Sequence, residues 1–87
     1  MLLFGPGTDH DERSVQVMEH RKVNGRQVVR LMWLGPRVWH FGYVINLNWP
    51  HPPWQACDVD GEPVDEVRDR FYLAVEDAVR YVEGQEQ

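Results

Sequence analysis

The stretch Pro63–Gly84 limits the architecture more than any other part of the chain. It is long and periodic enough to form a helix that needs a surface to cover. At 3.6 residues per turn, Val64, Val67, Phe71, Ala74, Val75, Ala78, Tyr81 and Val82 fall on one arc, with Tyr72 and Val79 at its edge. Pro63 suits a first helical turn, and Gly84 suits the position just past the last one. The periodicity predicts a helix over 64–83. Its outer face carries Asp65, Glu66, Asp69, Glu76, Asp77 and Glu83, with Arg70 and Arg80 between them and Leu73 alone in the middle. Glu66 and Arg70, like Glu76 and Arg80, stand four residues apart in the favourable order.

Everything upstream reads as the sheet this helix covers. Asn24-Gly25 is the dipeptide of a type I′ turn, whose two central residues both need positive φ. It predicts a hairpin over 14–33 in which Val23 faces Arg26, Arg21 faces Val28, Glu19 faces Arg30 and Val17 faces Met32. The Glu19–Arg30 pairing of opposite charges supports that register. A turn at Gly35-Pro36 leads into a third strand over 37–45, and 55–59 reads as a further short strand. One face of this sheet then holds Val15, Val17, Val28, Met32, Trp39, Phe41, Tyr43 and Ile45. The other holds Met18, His20, Lys22, Val29, Leu31, Trp33, Val38 and His40. A buried aromatic side chain removes about 150–250 Å² from water, so the first face is expected under the helix. The second is then open, and Met18, Leu31 and Trp33 become a candidate dimer face unless the arm 1–12 covers them.

Residues 46–55, Asn-Leu-Asn-Trp-Pro-His-Pro-Pro-Trp-Gln, bring Pro50, Pro52 and Pro53 into four positions, which argues for an extended loop over a central strand. The loop is either a rigid connection clamped by Trp49 and Trp54 or a displayed recognition segment, since Pro50-His51-Pro52-Pro53 fits P-x-x-P. Thr8-Asp9-His10-Asp11-Glu12 lacks a second ligand set and reads as a solvated run. Asp58-Val59-Asp60-Gly61 fails as a calcium loop, because aligning Gly61 puts Ala56 and Val67 at ligand positions.

Eighty-seven residues allow one domain and one modest core. Cys57 is the only cysteine, so no internal disulfide forms and a reducing, cytoplasmic location is expected. No apolar run approaches the length of a membrane span. The net charge of −5 is uneven, with residues 1–57 at +2 and residues 58–87 at −7.

No motif for catalysis is present. In the predicted sheet His20 and His40 lie two strands apart, about 10 Å, too far to share a metal. No glycine-rich phosphate loop precedes a helix, and a lone cysteine beside an apolar strand is ordinarily a core residue. No enzyme activity, cofactor or metal is therefore expected. The predicted layout is similar to integrase arm-type and plant AP2-type DNA readers, which set basic residues on the open sheet face. In the predicted register, Arg21, Arg26 and Arg30 point the other way. Over Glu66–Glu83 alone, with Ala74, Ala78 and Tyr81 at like places, the chain resembles the closing helix of HicB-type antitoxin domains, and no residue role carries over. The sequence thus predicts an α+β protein of three to four antiparallel strands with one C-terminal helix. Its expected function is non-catalytic protein binding of the inhibitor, antitoxin or adaptor kind, phage anti-defence proteins included, toward a basic partner surface. The expected contacts are Asp65, Asp69, Leu73, Glu76 and Asp77 on the helix, with Trp49, Pro50, His51, Pro52, Pro53 and Trp54 on the loop. The alternative is nucleic-acid binding by the sheet.

Overall fold

In the computed structural model, which describes residues 14–85, Asn24 and Gly25 take φ values of 52° and 79°. They close a hairpin of β1 (Gln16–Val23) and β2 (Arg26–Leu34). The pairings of Val23 with Arg26, Arg21 with Val28 and Glu19 with Arg30 are those the turn dictates. A bulge at Met18 then shifts the register, so that Val17 faces Leu31 and not Met32. A bulge inserts one residue and reverses which face the following side chains reach. It lets Val15 and Val17 join a face that strict alternation denies them.

The sheet continues through β3 (Trp39–Asn48), β4 (His51–Cys57) and β5 (Pro63–Arg68) in the order β1-β2-β3-β4-β5, all neighbours antiparallel, and the chain ends in α1 (Phe71–Gln85). The α+β class holds with five strands, and two stretches differ from expectation. Residues 63–68 are a strand, because Asp58 organises a tight turn that sends the chain back along β4. Its Oδ1 accepts from the backbone N–H of Asp60 and Glu62, and Gly61 takes a φ of 82°. Pro63 opens an edge strand, where a missing N–H is tolerated. Residues 46–55 are the end of β3, a turn at Trp49–Pro50 and most of β4. The prolines fit because the β3–β4 register breaks between Asn46 and Asn48, and the Asn46 side chain takes over the ladder there. Its amide donates to the carbonyls of His51 at 2.8 Å and Pro53 at 3.4 Å, while its oxygen accepts from Asn48 N–H at 3.1 Å.

The helix lies on the face opposite to the expected one. Val29, Leu31 and Trp33 of β2, Val44 of β3 and Ala56 of β4 are buried against Ala74, Val75, Ala78 and Val79 of α1, with Val15 completing the cluster. Small residues make the approach possible. A Cβ at Gly42 would stand 3.0 Å and 3.1 Å from two ring atoms of Trp33 and 3.6 Å from Ala78 Cβ. The Trp33 ring therefore occupies the gap above Gly42, and its Nε1 donates to Glu83 Oε2 at 3.1 Å. Leu31 and Trp33, both 0% exposed, cannot form a dimer face; of that trio only Met18 is exposed.

Gly42→Val is expected to force the Trp33 ring out of its site and to lower stability by about 1–3 kcal/mol, as overpacking does. Chemical denaturation compared with the chain as it stands checks this, and an unchanged midpoint would show that the gap is not tight.

Candidate functional site

Turning the aliphatic face to α1 leaves the aromatic face of β3 to solvent. Trp39, Phe41 and Tyr43 alternate along one side of that strand, and Arg30 and Met32 of β2 lie beside them in register. The Arg30 guanidinium carbon sits 4.4 Å from the Phe41 ring centre, a cation–π contact. Its Nε is buried without an acceptor among the described residues. Arg21 and Arg26 belong to the same face. Arg21 lies 3.8 Å from Glu19, both exposed, and Arg26 Nη1 donates to the Gly61 carbonyl at 2.9 Å.

This face is divided. Toward the Asn24–Gly25 end, the Asp58–Glu62 turn doubles back on the first hairpin. Gly61 lies against the Val23 side chain, and Asn24 donates to the Asp60 carbonyl. Val28, Ile45 and Cys57 form a second, smaller cluster there with Val23 and Tyr43. Toward the Gly35–Val38 end nothing described covers the sheet. Trp39 is 51% exposed and Phe41 38%, and Leu34, Val38 and Val59 are exposed around them. An open groove of about 490 Å³ runs between Val38, Trp39, Phe41 and Val59 and the end of α1, where Tyr81, Val82 and Gln85 form its other wall.

The groove exists because β4 leaves the sheet early. β3 pairs with β4 only from Tyr43 onward, Tyr43 facing Cys57, so Trp39–Gly42 has no paired strand on that side among the described residues. Cys57 stands at the point of departure. Burial, aided by the charge of Asp58 and opposed by Arg26, pushes its thiol up to about 12. A thiol so protonated is a poor nucleophile.

The residues expected to bind a partner are dispersed. Asp77 is 1% exposed and serves the fold. Its Oδ2 accepts from Arg68 Nε at 2.7 Å and its Oδ1 from Arg68 Nη2 at 3.2 Å and from Arg80 Nη2. That bond to Asp77 holds the Arg68 guanidinium above its ordinary value. The expected pairs Glu66–Arg70 and Glu76–Arg80 are replaced, Glu66 by its place on β5 beside Arg68 at 3.8 Å and Arg80 by Asp77. Asp65 lies on β5, half-buried, its carbonyl accepting from Gln55. Leu73 and Glu76 are half-buried and Asp69 is exposed in the β5–α1 connection, so no continuous acidic helix face remains.

Trp49 and Trp54 do come together, in a chain of edge-on rings. His20 to Trp49 spans 5.1 Å, Trp49 to Trp54 6.1 Å and Trp54 to Phe71 4.6 Å. Trp54 packs on the main core. Pro50, His51 and Pro52 are exposed and Pro53 is half-buried, but His51–Pro53 belong to a strand and do not form a polyproline segment. The groove itself escapes a reading based on aromatic area. What the sequence does signal is which face is open, through the phase of Arg21, Arg26 and Arg30, which share that face with Trp39 and Phe41. Guanidiniums under the helix would need acceptors that its apolar stripe of Phe71, Ala74, Val75, Ala78 and Val82 does not offer.

Among the described residues no cluster of three or more His, Cys, Asp or Glu could hold a metal ion, and no helix is long and apolar enough to cross a membrane. No protein-family model, curated protein or solved structure matches the chain. The site is therefore read from its own chemistry.

Two outcomes are expected. Asp77→Ala lowers the thermal midpoint markedly while Asp69→Ala leaves it within error, because the first removes a buried carboxylate that ties part-buried Arg68 of β5 to α1 and the second removes a solvated one; equal effects would contradict the assignment. Cys57 resists alkylation at pH 8 until the chain unfolds. With the native thiol above its ordinary 9.0, at about 12, the unfolded state loses the proton first, so stability falls as pH rises from about 9 to about 12. A pH series of melts on Cys57→Ala, which lacks this slope, isolates the contribution.

Proposed function

We propose that the chain is a non-catalytic protein-binding protein, of the inhibitor, antitoxin or adaptor kind, and that it engages its partner through the open end of the sheet. The observation that carries this reading is the patch of Leu34, Val38, Trp39, Phe41 and Val59. Each of these residues is more than a third exposed; Val38, Trp39, Phe41 and Val59 line a single groove, and Leu34 pairs with Trp39 beside it. Contiguous apolar surface of this sort marks interaction sites, and aromatic residues with a neighbouring arginine are the side chains that dominate binding energy in protein interfaces. Asp69 and Glu76 contribute at most a peripheral charge, since the acids around them are buried or committed to the fold.

A second reading, nucleic-acid binding by the same sheet face, draws support from Arg21, Arg26 and Arg30 lying in phase with Trp39, Phe41 and Tyr43, a combination suited to stacking unpaired bases. Against it, Glu19 sits beside Arg21, and Asp58, Asp60 and Glu62 occupy the turn against which Arg26 rests. Phosphate contacts usually supply a large share of the affinity in such complexes, and these carboxylates oppose them.

The test uses the chain as bait in its own source cells, in three forms: unaltered, Trp39→Ala with Phe41→Ala, and Asp69→Arg with Glu76→Arg. Removing the aromatic pair is expected to lower partner affinity by about 30-fold or more, the effect of losing a central hot spot, with the thermal midpoint little changed. Reversing the acids is expected to leave recovery intact. Equal recovery of the same partner by all three baits would remove the sheet face. Tight binding to a random single-stranded oligonucleotide that weakens steeply with salt would favour the second reading.

A further inference from the structure

We infer that the edge of β3 left unpaired among the described residues takes an extended peptide strand from the partner, one whose side chains are acidic toward Arg30 and apolar toward the end of α1. This rests on the protein-binding reading above and names the shape and chemistry of what binds.

The backbone supplies the first argument. The β2–β3 turn is closed by a bond from Gly35 N–H to the Val38 carbonyl at 2.8 Å. In an antiparallel pair, alternate residues direct their backbone groups to the same neighbour. Counting inward from that bond, His40, Gly42 and Val44 turn theirs to β2, and Trp39, Phe41, Tyr43 and Ile45 turn theirs the other way. Tyr43 and Ile45 meet Cys57 and Gln55 of β4. Trp39 and Phe41 meet no described strand, because β4 has already left. Their N–H and C=O groups open on the groove, and such groups recognise an extended backbone and little else. At about 3.3 Å per residue the free edge accommodates roughly four residues of an added strand.

Charge supplies the second argument. Arg30 lies over Phe41, one strand in from the free edge, and Arg37 stands in the turn at the groove's end. Neither has a carboxylate partner among the described residues. Asp58, on the opposite wall, has its Oδ1 engaged by the N–H groups of Asp60 and Glu62. Carboxylates on the aromatic side of the added strand would therefore meet guanidiniums that no described carboxylate holds in a salt bridge, Glu19 standing across from Arg30 without closing one. Side chains on its other side would meet Tyr81 and Val82, which favour apolar groups.

The probe is a blocked octapeptide alternating valine and glutamate, with two controls: the same peptide N-methylated on the residues that would face β3, and a valine–lysine version. Amide exchange of the full chain is followed by NMR. In the free protein the Trp39 and Phe41 amides are expected to exchange far faster than those of Gly42 and Val44. The valine–glutamate peptide is expected to slow Trp39 and Phe41 by about 10-fold or more, the N-methylated peptide to have no effect, and the lysine version to act only weakly. If the two amides are already protected in dilute free protein, the chain's own terminal segment holds the edge. If they become protected only on concentrating it, a second copy does. Either result overturns the inference. Should no peptide protect them while partner recovery still depends on Trp39 and Phe41, the strand-addition inference falls and the protein-binding reading stands. Should recovery be indifferent to both side chains, the reading itself falls.

Discussion

The Trp33 ring, which shares the space above Gly42 with Ala78 of α1, makes the contact on which the arrangement depends. It is the largest fully buried side chain of the described residues. A ring of that size can lie between a helix and a sheet only where both sides give way, and Gly42 and the alanines of α1 provide that room. Its indole N–H would be an unsatisfied donor in such a place, were it not for Glu83. The same contact determines what remains outside. With Trp33 inward, alternation sends Met32 and Leu34 to the other face, and pairing across the hairpin sends Trp39 and Phe41 with them.

The acidic half of the chain follows the same logic. Ten carboxylates after Cys57 suggest a surface built for a basic partner, yet the most central of them is internal. Asp77 is tolerated there because Arg68 meets it with two parallel bonds and Arg80 with a third. A buried carboxylate so held ties β5 to α1. Asp58 does comparable work in the turn before β5. These acids shape the molecule more than they advertise it.

The route of β4 then makes the groove. The Asn46 amide lets a strand containing two prolines pair with β3, and the Asp58 turn ends that pairing halfway along it. Had β4 run the full length, Trp39 and Phe41 would be covered at their edge and the sheet would present only a flat aromatic face. Its early departure joins an apolar patch to unpaired backbone, and that combination gives the surface a direction as well as an affinity for apolar groups.

Local chemistry was sufficient for several features. Asn24-Gly25 dictates its turn and, through it, the register up to Glu19, because those interactions lie within a few residues of one another. The stripe of Phe71, Ala74, Val75, Ala78 and Val82 is legible as a core face for the same reason. In residues 63–68, Val64 and Val67 stand three apart, a helical spacing, and the ladder with β4 overrode it, leaving Val67 exposed. Which face of the sheet meets the helix depended on comparing two surfaces: aromatic area pointed one way, while the three arginines beside the aromatics and the glycine at 42 pointed the other. Sterics and the cost of burying charge prevailed, and both act only once distant segments are brought together. The groove was beyond the sequence's reach altogether, since a missing neighbour on one side of β3 is a property of where β4 ends in space.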